Sequence, residues 1–344
     1  MRIPRPLAWL LLALTLCTAG LLRQFHDRIP RSPYVTPIVG SLLFAAVFLL
    51  LLVSAREWRL GAVPGAGVRL GSLTPLLLML LGEKWFAINF YGPVFNLLAN
   101  PRAPANLLDA QYRLLAGGGL LVVCLFLGRL SAPSAHKTWR RIRPARWPLA
   151  LGGAGLAIGA TYLVLGGASW ALGGSVALSR VPALPPLPWV LGGQALLALA
   201  EELFFRGLLL SELERLAPRL GARSAPARRW TALVATATLF GLEHLVLSPP
   251  WDLAWRRLVF TIALGLLFGL LIMVSANLLF AAVLHAWINW LLLDAVPHFV
   301  DGSGQPLLPS GTYVGMLLVF AFLVAFGAQA LRRRAPSALA DAGG

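Results

Sequence analysis

Three short patterns combine residue types that do chemistry with surroundings that should exclude them. Glu201-Glu202-Leu-Phe-Phe-Arg206 interrupts one apolar run, Phe240-Gly-Leu-Glu243-His244 a second, and His285-Ala-Trp-Ile-Asn289 a third. An ionisable group inside a membrane segment costs roughly 2.5 to 3.5 kcal/mol on insertion and is read as functional by default. On a helix, Glu202 and Arg206 (i, i+4) share a face and are expected to form an ion pair. Glu201 is turned about 100° from Glu202 and points elsewhere. His285 and Asn289 share a face by the same spacing. A carboxylate and an imidazole make a general acid and base pair, and a second histidine beside an amide supplies donors for an oxyanion. Polar glue between helices would need only the Glu202 and Arg206 pair, not a second buried acid. Glu243 either orients a neighbouring group or reaches interfacial water near a helix end at Pro249-Pro250. His26, His136 and His298 fall in predicted loops and carry no signal.

The chain around these patterns is 58% hydrophobic and 12% charged over 344 residues. A soluble domain carries about 25% charge, so most soluble folds are excluded. Runs of about 17 to 25 apolar residues span a bilayer core, and the sequence holds about ten of that kind. They lie near Leu7 to Leu22, Val35 to Ala55, Leu70 to Tyr91, Leu114 to Leu130, Pro148 to Leu172, Trp189 to Leu210, Trp230 to Leu247, Leu258 to Val274, Asn277 to Leu293 and Thr312 to Leu331. The expected fold is all-α, a polytopic transmembrane bundle of about 9–10 spans with the catalytic core in its C-terminal half. The first run also fits a signal peptide and is read as a retained helix. Cys17 and Cys124 both lie in apolar runs, which excludes a disulfide scaffold.

Lysine and arginine number 29 against 13 acids, a formal charge of +16. The excess concentrates in the loops Arg129 to Trp147 and Ser211 to Arg229 and in Arg332-Arg333-Arg334. By the positive-inside rule these face the cytoplasm, which puts both termini inside. The loops Gly173 to Pro188 and Asp294 to Gly311, with one basic residue between them, should share the opposite side. Arg23, Arg28, Arg31, Arg256 and Arg257 fit that path poorly. The basic excess reports topology and attraction to anionic lipids, and no nucleic acid partner is expected.

Taken in order on three apolar segments, Glu201-Glu202-x-x-x-Arg206, Phe240-x-x-x-His244 and His285-x-x-x-Asn289 resemble the CPBP family of intramembrane proteases, which includes the type II CAAX prenyl endopeptidases and bacterial Abi proteins. The resemblance implies a protease domain over residues 148–331, an N-terminal accessory region over 1–147 of unassigned role, and a basic cytoplasmic tail over 332–344. It implies a multi-pass protein, expected in a bacterial inner membrane, that hydrolyses a peptide bond in a membrane-anchored protein or peptide. Peptide maturation, sorting-signal removal and bacteriocin immunity are the roles it suggests. Glu201 and His244 would activate a water, His285 and Asn289 would hold the oxyanion, and Glu202 with Arg206 would hold the site together, with Phe240 and Glu243 in support. No cofactor is favoured, although His244, His285 and Glu201 are also a legitimate zinc set. The Gly-x-Ser-x-Gly, His-Glu-x-x-His and Gly-x-Gly-Asp motifs of mechanistic competitors are missing from the sequence. A transporter or proton relay built on the same Glu and His cluster is the alternative.

Overall fold

The computed structural model describes residues 2–3, 68–69, 105–130, 138, 142, 147–173, 177–179, 187–244, 251–301, 303 and 305–341. The first three apolar runs and most of the basic 129–147 loop lie outside these residues. The other runs all fall on helices, although the helices at Ala105, Ala225 and Trp251 begin before the expected Leu114, Trp230 and Leu258, and the last continues past Leu331 to Asp341. They are α1 (Ala105–Leu130), α2 (Trp147–Gly173), α3 (Leu187–Glu201), α4 (Leu210–Leu216), α5 (Ala225–His244), α6 (Trp251–Ser275), α7 (Leu278–Leu292) and α8 (Ser310–Asp341). A π-helical stretch, Glu202–Leu209, joins α3 to α4. Among the described residues, strand structure is two antiparallel two-residue pairs, β1 (Arg2–Ile3) with β2 (Val68–Arg69) and β3 (Ala177–Leu178) with β4 (Phe299–Val300), and a bridge from Val300 to Pro306. The all-α bundle expected from composition is thus what forms. Among the described residues, α2, α6 and α8 contain the stretches long and apolar enough to cross a bilayer.

Two compact units divide the chain. One comprises Met1–Pro101, Leu115–Thr138 and Leu203–Gly269; the other comprises Arg102–Leu114, Trp139–Glu202 and Leu270–Gly344. At the centre of the second, α7 is apolar almost all round and buries Leu278, Phe280, Leu284, Ile288 and Leu291, as expected of a helix enclosed by others. It packs on α3 and α2, and α2 packs on α8. The inner face of α2 carries the small residues Ala150, Ala154, Ala157 and Thr161, while Leu151, Leu156, Leu163 and Trp170 face outward. Leu163 is 78% exposed. Small residues inside and large apolar residues outside suit a helix whose solvent is lipid, because close backbone approach and not hydrophobic burial holds such helices together.

The loops after α2 and α7, which the charge count places on one side, pair with each other through β3 and β4. Ser179 extends the pairing: its N–H donates to the His298 carbonyl at 2.7 Å, its Oγ accepts from the His298 N–H at 2.9 Å and also lies 3.2 Å from His298 Nδ1. Beneath, the Tyr162 hydroxyl donates to the Pro297 carbonyl at 2.5 Å and the Phe299 N–H donates to the Tyr313 hydroxyl at 2.7 Å. In the other unit, residues 211–229 are less of a loop than expected. α4 continues through Leu216, and buried Glu212 accepts from Arg215 Nε at 3.0 Å. A turn at Gly221 (φ +113) leads to α5, whose Ala227 N–H donates to Ser224 Oγ at 3.2 Å. Where α5 meets α6, a Cβ on Gly265 would lie 3.0 Å from the Ala237 Cα, so any side chain there would have to push the helices apart by a few tenths of an ångström.

α6 turns into α7 within two residues. Ala276 takes φ +51, and fully buried Asn277 caps α7, its Oδ1 accepting from the Phe280 N–H at 3.2 Å. Replacing a cap of this kind by alanine costs about 1 kcal/mol, more where the orphaned N–H is buried. Asn277→Ala should therefore lower the thermal midpoint of the detergent-solubilised protein, and Asn277→Ser should recover most of the loss. A midpoint unchanged in Asn277→Ala would show that the cap does not hold α7.

Candidate functional site

The second unit brings Glu201, Glu202 and His285 together. Glu201 ends α3, Glu202 opens the π stretch, and His285 lies two turns into α7. His285 Nδ1 stands 2.9 Å from Glu202 Oε1, and His285 Nε2 stands 3.6 Å from Glu201 Oε2. Adjacent helical residues do not face each other. One imidazole reaches both because its two nitrogens point in different directions. With Glu202 as the carboxylate its oxygen only accepts, and Nδ1 then carries the hydrogen of the shorter contact. The 3.6 Å contact is ion-pair distance and longer than a hydrogen bond. The two acids also differ in access: the Glu202 side chain is 0% exposed and that of Glu201 is 15% exposed. The π geometry starts at this point, and single π turns recur at functional sites because they offset side chains that a regular helix would align.

α3 and α7 are locked in register by the Trp290 indole, which donates to the Leu191 carbonyl at 3.2 Å. Asn289, one turn beyond His285, is half-buried. Spacing alone gave Glu202 a single partner, Arg206. The structure adds His285 to its surroundings, a contact between residues 83 apart that no local rule foresees.

Arg206, Phe240, Glu243 and His244 belong to the other unit. Arg206 is 1% exposed, with its guanidinium carbon 4.0 Å from the centroid of the Phe240 ring, 5.8 Å from Phe205 and 5.9 Å from Phe268. Three aromatic rings thus surround a buried cation. Phe205 and Phe268 carry no polar atom, so nothing in their type marks them for a site; Phe205 adjoins Arg206 in the sequence, while Phe268 comes from another helix and no local signal points to it. His244 closes α5, and its Nδ1 is 2.7 Å from the Phe240 carbonyl. A carbonyl only accepts, so Nδ1–H donates. Glu243 is half-buried. The sequence-predicted residues are therefore described as two groups, Glu201, Glu202, His285 and Asn289 in one unit and Arg206, Phe240, Glu243 and His244 in the other.

Among the described residues, no group of three His, Cys, Asp or Glu side chains is arranged to hold a metal ion. Both nitrogens of His285 already face carboxylates, an arrangement suited to proton exchange and hydrogen bonding and poorly suited to offering a ring lone pair to zinc.

Residues 183–291 match the family model described as Rce1-like, Type II CAAX prenyl endopeptidase Rce1-like. The match covers just under a third of the 344 residues and contains all three motifs. It places this segment among the CPBP intramembrane proteases: a CAAX-type intramembrane endopeptidase, hence a hydrolase, within a membrane protein. Comparisons with curated proteins and with solved structures return no match.

Two outcomes follow from these contacts. In histidine-labelled protein, the His285 Nδ1 nitrogen resonance should be of the protonated, pyrrole type and should move in Glu202→Ala; a resonance indifferent to that change would show that Glu202 does not hold the ring. Arg206→Lys keeps the charge but loses the planar face that stacks on Phe240, and should destabilise the fold by about 2 kcal/mol, the scale of a desolvated cation–π contact. Equal denaturation midpoints for wild type and Arg206→Lys would remove the aromatic cage from the account.

Proposed function

We propose that the protein is a glutamate-dependent intramembrane endopeptidase acting on a membrane-anchored protein or peptide, in a bacterial maturation, sorting-signal or immunity role. The observation that carries this reading is the pair of carboxylates on the two nitrogens of His285, inside the segment that matches the family. The more accessible acid, Glu201, is the general base. It takes a proton from water as the oxygen attacks the scissile carbonyl, then returns that proton to the amine nitrogen as the C–N bond breaks. Glu202, fully buried, acts as a positioning residue by fixing the His285 ring, which in turn sets the Glu201 carboxylate. The resemblance gives His285 an oxyanion role together with Asn289. With carboxylates on both its nitrogens, His285 is better suited to orienting Glu201, and the Asn289 amide is the donor we assign to the oxyanion. His244, whose Nδ1–H is held by the Phe240 carbonyl, is assigned as the second base.

The test is cleavage of candidate membrane peptides by purified protein in detergent or vesicles. General acid and base groups contribute about 100- to 10,000-fold, so Glu201→Ala and His244→Ala should each lower kcat/KM by at least about 100-fold at unchanged thermal midpoint. Glu202→Gln, which keeps an acceptor for Nδ1, should lose less than Glu202→Ala. Cleavage that persists in both Glu201→Ala and His244→Ala would overturn the assignment. Proton flux through empty vesicles that depends on Glu201, with no peptide cleaved by wild type, would favour a proton relay instead.

A further inference from the structure

Two contacts hold α3 about two to three turns before Glu201. One is the bond from the Trp290 indole of α7 to the Leu191 carbonyl, at 3.2 Å. The other comes from α1, which lies outside the matched residues 183–291. The first turns of α1, through Leu114, belong to the same unit as α3 and α7. There α1 comes so close to α3 that a Cβ on Gly193 would lie 2.9 Å from the Ala110 carbonyl oxygen. Beside this approach, half-buried Arg113 of α1 reaches Gln194 of α3, which is 1% exposed. A guanidinium only donates, so the Gln194 amide turns its oxygen towards it. In that orientation the oxygen accepts from Arg113 Nε at 2.7 Å and from Nη1 at 3.1 Å.

The two contacts constrain different motions. A backbone carbonyl lies near the helix axis, so the bond to Leu191 resists sliding of α3 more than it resists rotation. The Gln194 side chain stands away from the axis, and Glu201 follows it by seven positions. Seven positions turn the helix by about 700°, back to within about 20° of the same face, over about 10 Å of rise. Whatever holds the Gln194 side chain therefore holds the direction in which Glu201 points. A carboxylate at the rim of a helix about 10–12 Å across moves about 1 Å for every 10° of rotation. The contact at stake, Glu201 Oε2 to His285 Nε2, is 3.6 Å long, so a turn of about 20° is enough to break it. Arg113 also lies in the apolar stretch Ala110–Leu125. A cation is costly there and is read as functional by default.

We propose that Arg113 is a positioning residue of the peptidase: through Gln194 it sets the rotation of α3 and so the aim of Glu201. The working unit then reaches back beyond the family match, and beyond the expected start of the protease domain at 148, to the first turns of α1. This inference rests on the peptidase reading for its kinetic test, and on the contact between Glu201 and His285 for a test that needs no cleavage.

Arg113→Met keeps an apolar stem and removes every donor, and Gln194→Met keeps the volume and removes the acceptor. Both are made in the full chain and compared with wild type in detergent, at a temperature where the thermal melt shows each to be folded. Misplacing a catalytic group by about 1 Å costs up to about 100-fold in rate, so each variant should lower kcat on a cleaved membrane peptide by about 10- to 100-fold with KM unchanged. The double variant should lose no more than either single one, because both break the same tie. In histidine-labelled protein, the His285 Nε2 resonance should move in Arg113→Met towards its position in Glu201→Ala, whether or not a peptide is cleaved. Losses that add in the double variant would overturn the proposal. So would a change in thermal midpoint alone, with kcat and the Nε2 resonance as in wild type. Wild-type protein that cleaves no peptide, with an Nε2 resonance that still follows Arg113, would sink the peptidase reading and leave the positioning of Glu201 standing.

Discussion

Two carboxylates in consecutive positions of an apolar helix repel each other and lose their hydration together, a cost that only well-placed donors or a shared proton can offset. Here one imidazole turns a nitrogen to each. Bringing His285 to both Glu201 and Glu202 requires α7 to meet α3 at a single register, and neighbouring features serve that requirement. The Trp290 bond to the Leu191 carbonyl fixes the sliding of one helix on the other. The Asn277 cap fixes where α7 begins, two turns before His285. The near-complete burial of α7 holds it from every side. The widening of the helix at Glu202 lets consecutive acids address one ring without a break in the backbone.

The other unit meets the same difficulty with different chemistry. Arg206 is as buried as Glu202 and is bordered by three phenylalanine rings, whose faces carry partial negative charge without any ionisable group. His244 satisfies one nitrogen on its own helix, at the Phe240 carbonyl, and so needs no neighbour to set its tautomer.

What could be read from the sequence follows the range of the forces involved. The existence of the helices along 105–331 was legible because apolar run length reports the thickness of the solvent a helix must cross; α2 and α7 start within two residues of the expected points, while α1, α5 and α6 begin earlier and α8 runs on through polar residues that an apolar run does not count. The two clusters of site residues were legible because charge in an apolar run is expensive and therefore conspicuous. The contact from Glu202 to His285 was not, since periodicity describes neighbours on one helix, and there Arg206 was the visible partner. Nor was the π stretch, because Leu-Phe-Phe-Arg-Gly-Leu-Leu reads as ordinary α-helix. The strands β3 and β4 escaped for a similar reason: two residues are too few for alternation to register. His298 was set aside as a loop residue, yet its backbone and its ring both meet Ser179. An asparagine ahead of an apolar run is a recognised helix start, and Asn277 is the position where that signal was available and went unused.

The pairing of β3 with β4 has a mechanical consequence. α3 and α7 run antiparallel; β4 follows α7 closely, and the Trp290 bond to Leu191 joins that end of α7 to α3, about 15 Å of helix from Glu201. Two rods joined at one end behave as tongs: a given angular fluctuation displaces the pinned end little and the far end most. Glu201 and Glu202 sit at the far end of α3, so the 3.6 Å gap between Glu201 and His285 is where small changes in the angle of the tongs are felt.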